Sequence, residues 1–102
     1  MDIVQLGKTD LKVSRLGVGL VEIGLQLTEG DKNQAYNVLN TALDGGINFF
    51  DTAECYGISE DLIGEALCHR RDEFVLATKA GHPSYGTKGV RWHVSTIKES
   101  ID

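Results

Sequence analysis

Three short apolar runs, Leu16-Gly17-Val18-Gly19-Leu20, Ile47-Asn48-Phe49-Phe50 and Phe74-Val75-Leu76-Ala77-Thr78, are separated by stretches whose apolar residues recur at helical spacing. A strand that reads as a continuous apolar run is buried on both faces, and such strands belong to parallel sheets covered by helices. Between the first two runs, Ala35, Val38, Leu39, Ala42 and Leu43 mark a helix, with Thr28 and Asp31 as candidate caps and Gly45-Gly46 as its stop. Between the second and third, a helix starts near Ser59. Glu60 and Asp61 occupy its first turn, Leu62, Ile63, Ala66 and Leu67 form the buried stripe, and His69, Arg70 and Arg71 close it with the charge the helix dipole favours.

Ahead of the first run, Ile3 to Val13 alternate loosely around Gly7-Lys8-Thr9-Asp10, which predicts a β-hairpin with a turn longer than two residues. After the third run, Gly81, Pro83, Ser84, Gly86 and Gly89 mark a long loop. A last helical segment follows, with Ser95 as its cap and Val94, Ile97 and Ile101 on one face. It reaches Asp102 without a stop signal, the pattern of a chain cut within a helix. Hairpin, then strand and helix three times over, is the order of a parallel α/β fold.

Such an order allows an open doubly wound sheet or a (β/α)8 barrel. A dinucleotide-binding GxGxxG turn should follow the first strand and open the first helix. Here Gly17 and Gly19 lie inside the strand run and Gly24 falls at the wrong interval, so the barrel is the better reading. The glycines of that run imply close approach by a ligand or a neighbouring helix.

At 102 residues the chain supports one small domain. Its net charge of −5, with scattered Lys and Arg, disfavours a nucleic-acid or membrane surface. No apolar run approaches the roughly 20 residues of a membrane span, and charged residues occupy the place of a signal core, which predicts a cytoplasmic protein. Cys55 and Cys68 stand too far apart for a redox pair and read as free thiols. His69, His82 and His93 lack metal-ligand spacing and read as surface or capping residues; no metal site is expected.

Reactive groups of a (β/α) barrel project from the C-terminal ends of its strands. Asp51 ends the second strand and Lys79 the third, so the two can pair. Tyr56, in the loop between them, would then feel the lysine's charge, and a cation within about 4–6 Å favours the phenolate and makes the hydroxyl a better proton donor. That is a general acid suited to a carbonyl oxygen whose carbon receives a hydride. A structural Asp–Lys pair with a merely packed tyrosine would read the same way.

The stretch from Gly46 through Asp51-Thr52-Ala53-Glu54-Cys55-Tyr56-Gly57, followed by Ser59-Glu60 and Leu62-Ile63-Gly64-Glu65-Ala66-Leu67, resembles the signature of the aldo-keto reductases. Leu6 to Gly19 is similar to that family's N-terminal hairpin and first strand, and Val75-Leu76-Ala77-Thr78-Lys79 to its third strand. The resemblance spans the chain in order. It implies that residues 1–102 are the N-terminal, incomplete part of a (β/α)8 TIM barrel, a hairpin plus about three βα units, that binds NADPH without a Rossmann domain.

The resemblance also implies roles: Tyr56 as proton donor, Lys79 as the group that tunes it, and Asp51 as the partner of Lys79 beside the nicotinamide ribose. Gly19, Leu20 and Val21 fall where the first strand meets the nicotinamide, and Gln26 matches a cofactor-side glutamine of some branches. The family's usual Thr and aromatic residue after the first-strand glycine are replaced by Leu20 and Val21. Its catalytic histidine, and its pyrophosphate and 2′-phosphate grips, correspond to positions beyond Asp102. The implied activity is reduction of an aldehyde or ketone, or oxidation of the alcohol, with a small carbonyl compound as partner. Three strands alone predict an inactive fragment and self-association through an open sheet edge. A non-catalytic, cofactor-binding or regulatory barrel relative is the competing reading.

Overall fold

The computed structural model describes residues 1–26, 31–82 and 90–101. Strands β1 (Ile3–Gln5) and β2 (Lys12–Ser14) pair antiparallel as the expected hairpin. Its turn is tied by Leu6 N donating to the Leu11 carbonyl and by the Thr9 hydroxyl donating to the Leu6 carbonyl.

Strands β3 (Val18–Gly19), β4 (Phe49–Asp51) and β5 (Val75–Ala77) form a parallel sheet in that order. The register aligns Val18, Phe50 and Leu76 in one row and Gly19, Asp51 and Ala77 in the next, at the C-terminal ends. Each strand is shorter than its apolar run: Leu16, placed in the first strand by hydrophobicity, is exposed. The described residues make a three-stranded sheet and no closed barrel.

Helices α2 (Lys32–Asp44) and α3 (Ser59–Leu67) cover one face of the sheet. Leu20, Leu39, Leu43, Phe50, Ile63, Ala66, Leu67 and Phe74 form the core, with Phe50 and Phe74 edge to face at 5.6 Å between ring centres. Because side chains alternate along a strand, Phe50 points into this helix layer while Phe49 and Asp51 point to the opposite face. That alternation delivers a carboxylate to the other side of a hydrophobic strand.

Several boundaries differ from expectation. A helix α1 (Val21–Gln26) begins directly after β3, ahead of the first helix that the sequence predicts. Its six residues are too few to reveal a period. Asp31 precedes α2 but makes no side-chain cap bond, and Thr28 lies outside the described residues. At the other end of α2 the left-handed turn falls on Gly46 (φ +92°), whose N–H bonds the Leu43 carbonyl.

Helix α3 stops at Leu67, and Cys68–Glu73 continue as a 3-10 segment kinked at Arg70. Arg70 therefore does not serve the helix dipole. Its guanidinium reaches Asp44 at 2.8 Å, Glu73 at 2.8 and 2.9 Å and the Asn40 side-chain carbonyl at 3.0 Å, clamping α2 to this segment.

Helix α4 (Val94–Ile101) buries Thr96, while Val94 and Ile101 of the expected apolar face are exposed and Ile97 is half-buried. Ser95 lies inside the helix and bonds the His93 ring instead of capping. His82 is not a surface residue: it is half-buried, its ring 5.7 Å from that of Trp92. Of the long loop after β5, Pro83, Ser84, Gly86 and Gly89 lie outside the described residues.

Candidate active site

The C-terminal strand ends bring Asp51, Tyr56 and Lys79 together, as the order of strands predicts. Lys79 Nζ donates to Asp51 Oδ1 at 2.6 Å and to the Thr52 carbonyl at 2.8 Å, and stands 5.2 Å from the centre of the Tyr56 ring. The bond to Asp51 raises the proton affinity of Lys79 above the ordinary lysine value; partial desolvation opposes this, and the charge of Asp51 and the neighbouring Tyr56 side chain reinforce it. The lysine is thus a fixed cation on the tyrosine face. Both members of the ion pair remain about half exposed, so the site opens to solvent.

Asp51 and Tyr56 owe their places to backbone bonding. Asp51 is held on both sides, its carbonyl accepting from Leu20 N at 3.0 Å while the next N–H, of Thr52, donates to the Ala77 carbonyl at 2.8 Å. Tyr56 sits in a tight turn, its N–H donating to the Ala53 carbonyl and its own carbonyl accepting from Ser59 N. Gly57 follows with φ +56°, a conformation that suits glycine.

Two further features were not legible in the chain. The hydroxyls of Thr52 and Ser59, both fully buried, bond each other at 2.7 Å. Helix α1 presses onto the tyrosine turn at Gly24, whose carbonyl accepts from Ile58 N; a β-carbon built on Gly24 would stand 1.8 Å from the Tyr56 carbonyl oxygen. A glycine within Val21–Gln26 was the one available signal for this contact.

Of the residues assigned to the cofactor, Gly19 lies in the same row as Asp51 with open space where its side chain would be. Val21 is half-buried at the start of α1. Leu20 has its side chain in the core, so only its backbone can line the site. Gln26, exposed at the end of α1, lines a depression of about 210 Å³ with Glu22, Ile23, Gln34 and Val38, toward α2. Cys55 and Cys68 are free thiols, half-buried and exposed respectively. Among the described residues no group of three or more His, Cys, Asp or Glu could hold a metal, and no helix is long and apolar enough to cross a membrane.

Comparison with known proteins finds relatives along nearly the whole chain. The Aldo/keto reductase family matches residues 15–102. The oxidoreductase YqkF of Bacillus subtilis is 38% identical over 102 residues, covering 95% of this chain and 32% of its own length. A protein of Arabidopsis thaliana named as a voltage-gated potassium channel β subunit is 40% identical over 103 residues, covering 92% of this chain and 30% of its own. The crystal structure of PA4992 from Pseudomonas aeruginosa, assigned to the aldo-keto reductases, superposes with a TM-score of 0.84 at 34% identity, over 97% of this chain and 39% of that one. The chain thus spans about a third of the length of the curated relatives it matches.

Proposed function

This chain belongs to the aldo-keto reductase family, and on that premise we propose that it supplies the proton-donating half of an NADPH-dependent oxidoreductase acting on aldehydes and ketones. The observation that carries the reading is the position of Lys79, bonded to Asp51 and to the Thr52 carbonyl and lying over the Tyr56 ring. A structural ion pair has no need of a phenol against its cation.

The strand ends fit a reduced nicotinamide. Gly19 leaves room for a flat ring beside the Asp51 carboxylate, and a carboxylate there can accept from ribose hydroxyls. When bound, that group supplies a hydride to the carbonyl carbon. Tyr56 gives its proton to the carbonyl oxygen as the C=O π bond breaks, yielding the alcohol, and the Lys79 ammonium stabilises the phenolate left behind. Asp51 keeps Lys79 protonated and in place. In the oxidative direction the same phenolate takes the alcohol proton.

Residues 1–102 are read as the N-terminal part of a barrel whose typical length is about 250 residues, and alone they should not turn over substrate. A titration with NADPH followed by nicotinamide fluorescence, beside a melt and an assay of NADPH oxidation with an aldehyde, tests this. Steady oxidation by the 102-residue chain would refute the fragment reading. In the polypeptide that completes the barrel, Tyr56→Phe should lower kcat by about 10²–10⁴-fold. The relative named as a channel β subunit favours a second reading, a regulatory barrel in which turnover is incidental; an unaltered rate in Tyr56→Phe would support it.

A further inference from the structure

We propose that the buried hydroxyl pair of Thr52 and Ser59 is a positioning device that fixes the Lys79 ammonium against the Tyr56 ring. The inference rests on the reading of Tyr56 and Lys79 as the reacting pair, and concerns residues that do not touch substrate.

The connections run through both residues. The carbonyl of Thr52 accepts one of the two side-chain bonds of Lys79, and its N–H is committed to Ala77 in the neighbouring strand. The Thr52 hydroxyl meets that of Ser59 at 2.7 Å, and the N–H of Ser59 holds the Tyr56 carbonyl at 3.1 Å. Lys79, Thr52, Ser59 and Tyr56 are therefore joined in one chain of bonds that crosses the loop between strand and helix. On the far side of that loop, Gly24 of α1 packs directly on the Tyr56 carbonyl. The turn carrying Tyr56 is closed in from both sides.

The use of Ser59 is itself informative. Ser59 is the first residue of α3, one position past the cap, where a hydroxyl is not the group that caps the free N–H groups of the first turn. Here Ile58 occupies the cap position, no side-chain cap bond forms, and the Ser59 hydroxyl faces inward to Thr52. The hydroxyl is thus left for a bond that ties the loop to the lysine anchor. Since a displacement of about 1 Å between reacting groups can cost about a hundredfold in rate, a tie of this kind has a chemical consequence.

The test separates positioning from simple stability. Thr52→Val alone would strand the Ser59 hydroxyl, whereas Thr52→Val with Ser59→Ala removes both polar groups and should leave the fold nearly as stable. The readout is the NMR position of the Lys79 Hε protons in the 102-residue chain, moved upfield by the Tyr56 ring while the ammonium lies over it, with Tyr56→Leu marking the unshifted position. Expected is loss of the upfield shift in the double variant and in Ser59→Ala alone, and its retention in Thr52→Ser, which keeps the hydroxyl. A wild-type shift in the double variant or in Ser59→Ala, with a native melt, would overturn the proposal. Tyr56→Phe keeps the ring and the Lys79 shift. Undiminished turnover by that variant in the completed barrel would refute the proposed reaction and leave the positioning result standing.

Discussion

Replacing Gly24 by alanine sets two physical effects against each other with opposite signs. Inside an exposed helix the change adds about 0.5–1 kcal/mol of stability, because glycine loses more backbone freedom on folding. In α1 the new methyl would stand 1.8 Å from the Tyr56 carbonyl oxygen, 2.8 Å from its carbon and 2.7 Å from the Ser59 β-carbon. A carbon–oxygen contact relaxes near 3.3 Å, so helix and turn must part by about 1.5 Å. The obstructing atoms are backbone, held by Ser59 N on the Tyr56 carbonyl, and cannot swing aside as a side-chain tip would. Overpacking of this kind costs about 1–3 kcal/mol, and losing the bond from Ile58 N to the Gly24 carbonyl adds about 1 kcal/mol. Net of the helix gain, the variant should be destabilised by about 2 kcal/mol, which for a domain near 100 residues lowers Tm by about 10 °C. Thermal melts followed by circular dichroism read this directly. A Gly24→Ala protein with an unchanged or higher Tm would show that helix propensity wins and that α1 does not brace the tyrosine turn.

Two other perturbations address separate parts of the molecule. Asp51→Asn removes the first cause of the raised Lys79 proton affinity, so the Lys79 Cε resonance should titrate at lower pH; an unmoved midpoint would refute the assignment. Because the folded value lies above the unfolded one, the pair's contribution to stability is complete below the unfolded lysine value. It is lost as pH rises through the folded value, and this alkaline loss should shrink in the variant. Asn48→Ala strips the acceptor of Ser14 N (2.6 Å) and the donor to the Lys12 carbonyl (3.1 Å), leaving a buried N–H unpaired at a cost of about 1–3 kcal/mol. Amide exchange in β1 and β2 should speed up while the Thr52 and Val75 amides keep their protection; uniform acceleration would mean the hairpin is not a separable unit.

The strand order and the polar residues at the strand ends were legible because burial on both faces writes a continuous apolar run, and a polar residue has to end it. Asp51 and Lys79 stand out on that rule alone. Strand lengths were not legible, since Leu16 is as apolar as Leu20 yet stands in solvent, and only tertiary contact distinguishes them. The same holds for α4: its apolar stripe promised a buried face, yet Val94 and Ile101 stand in solvent and Thr96 is the buried member. Helix α1 escaped notice because two turns give too few repeats to outweigh Gly24. The Thr52–Ser59 bond joins residues seven apart across a turn, a spacing with no periodic signature. Pairwise geometry at the site belongs to the fold, while the residue types that make it reactive are written in the chain.

That division has a consequence for where change is tolerated. Strand β4 separates two kinds of contact along its length. Before it, Asn48 binds the Ser14 N–H and Oγ and the Lys12 carbonyl, fastening the hairpin at the N-terminal end of the sheet. After it come Asp51 and Thr52, whose bonds run to Lys79, Ser59 and Ala77. In a parallel barrel the first end serves stability and the second serves chemistry. Phe50, between them, is fully buried against the helices and couples both ends to one core. Substitution at Asn48 should therefore lower stability without moving Lys79 relative to Tyr56, and a substitution at Thr52 that removes the hydroxyl should move Lys79 in excess of any loss of stability. Substitution at Phe50 should do both in proportion.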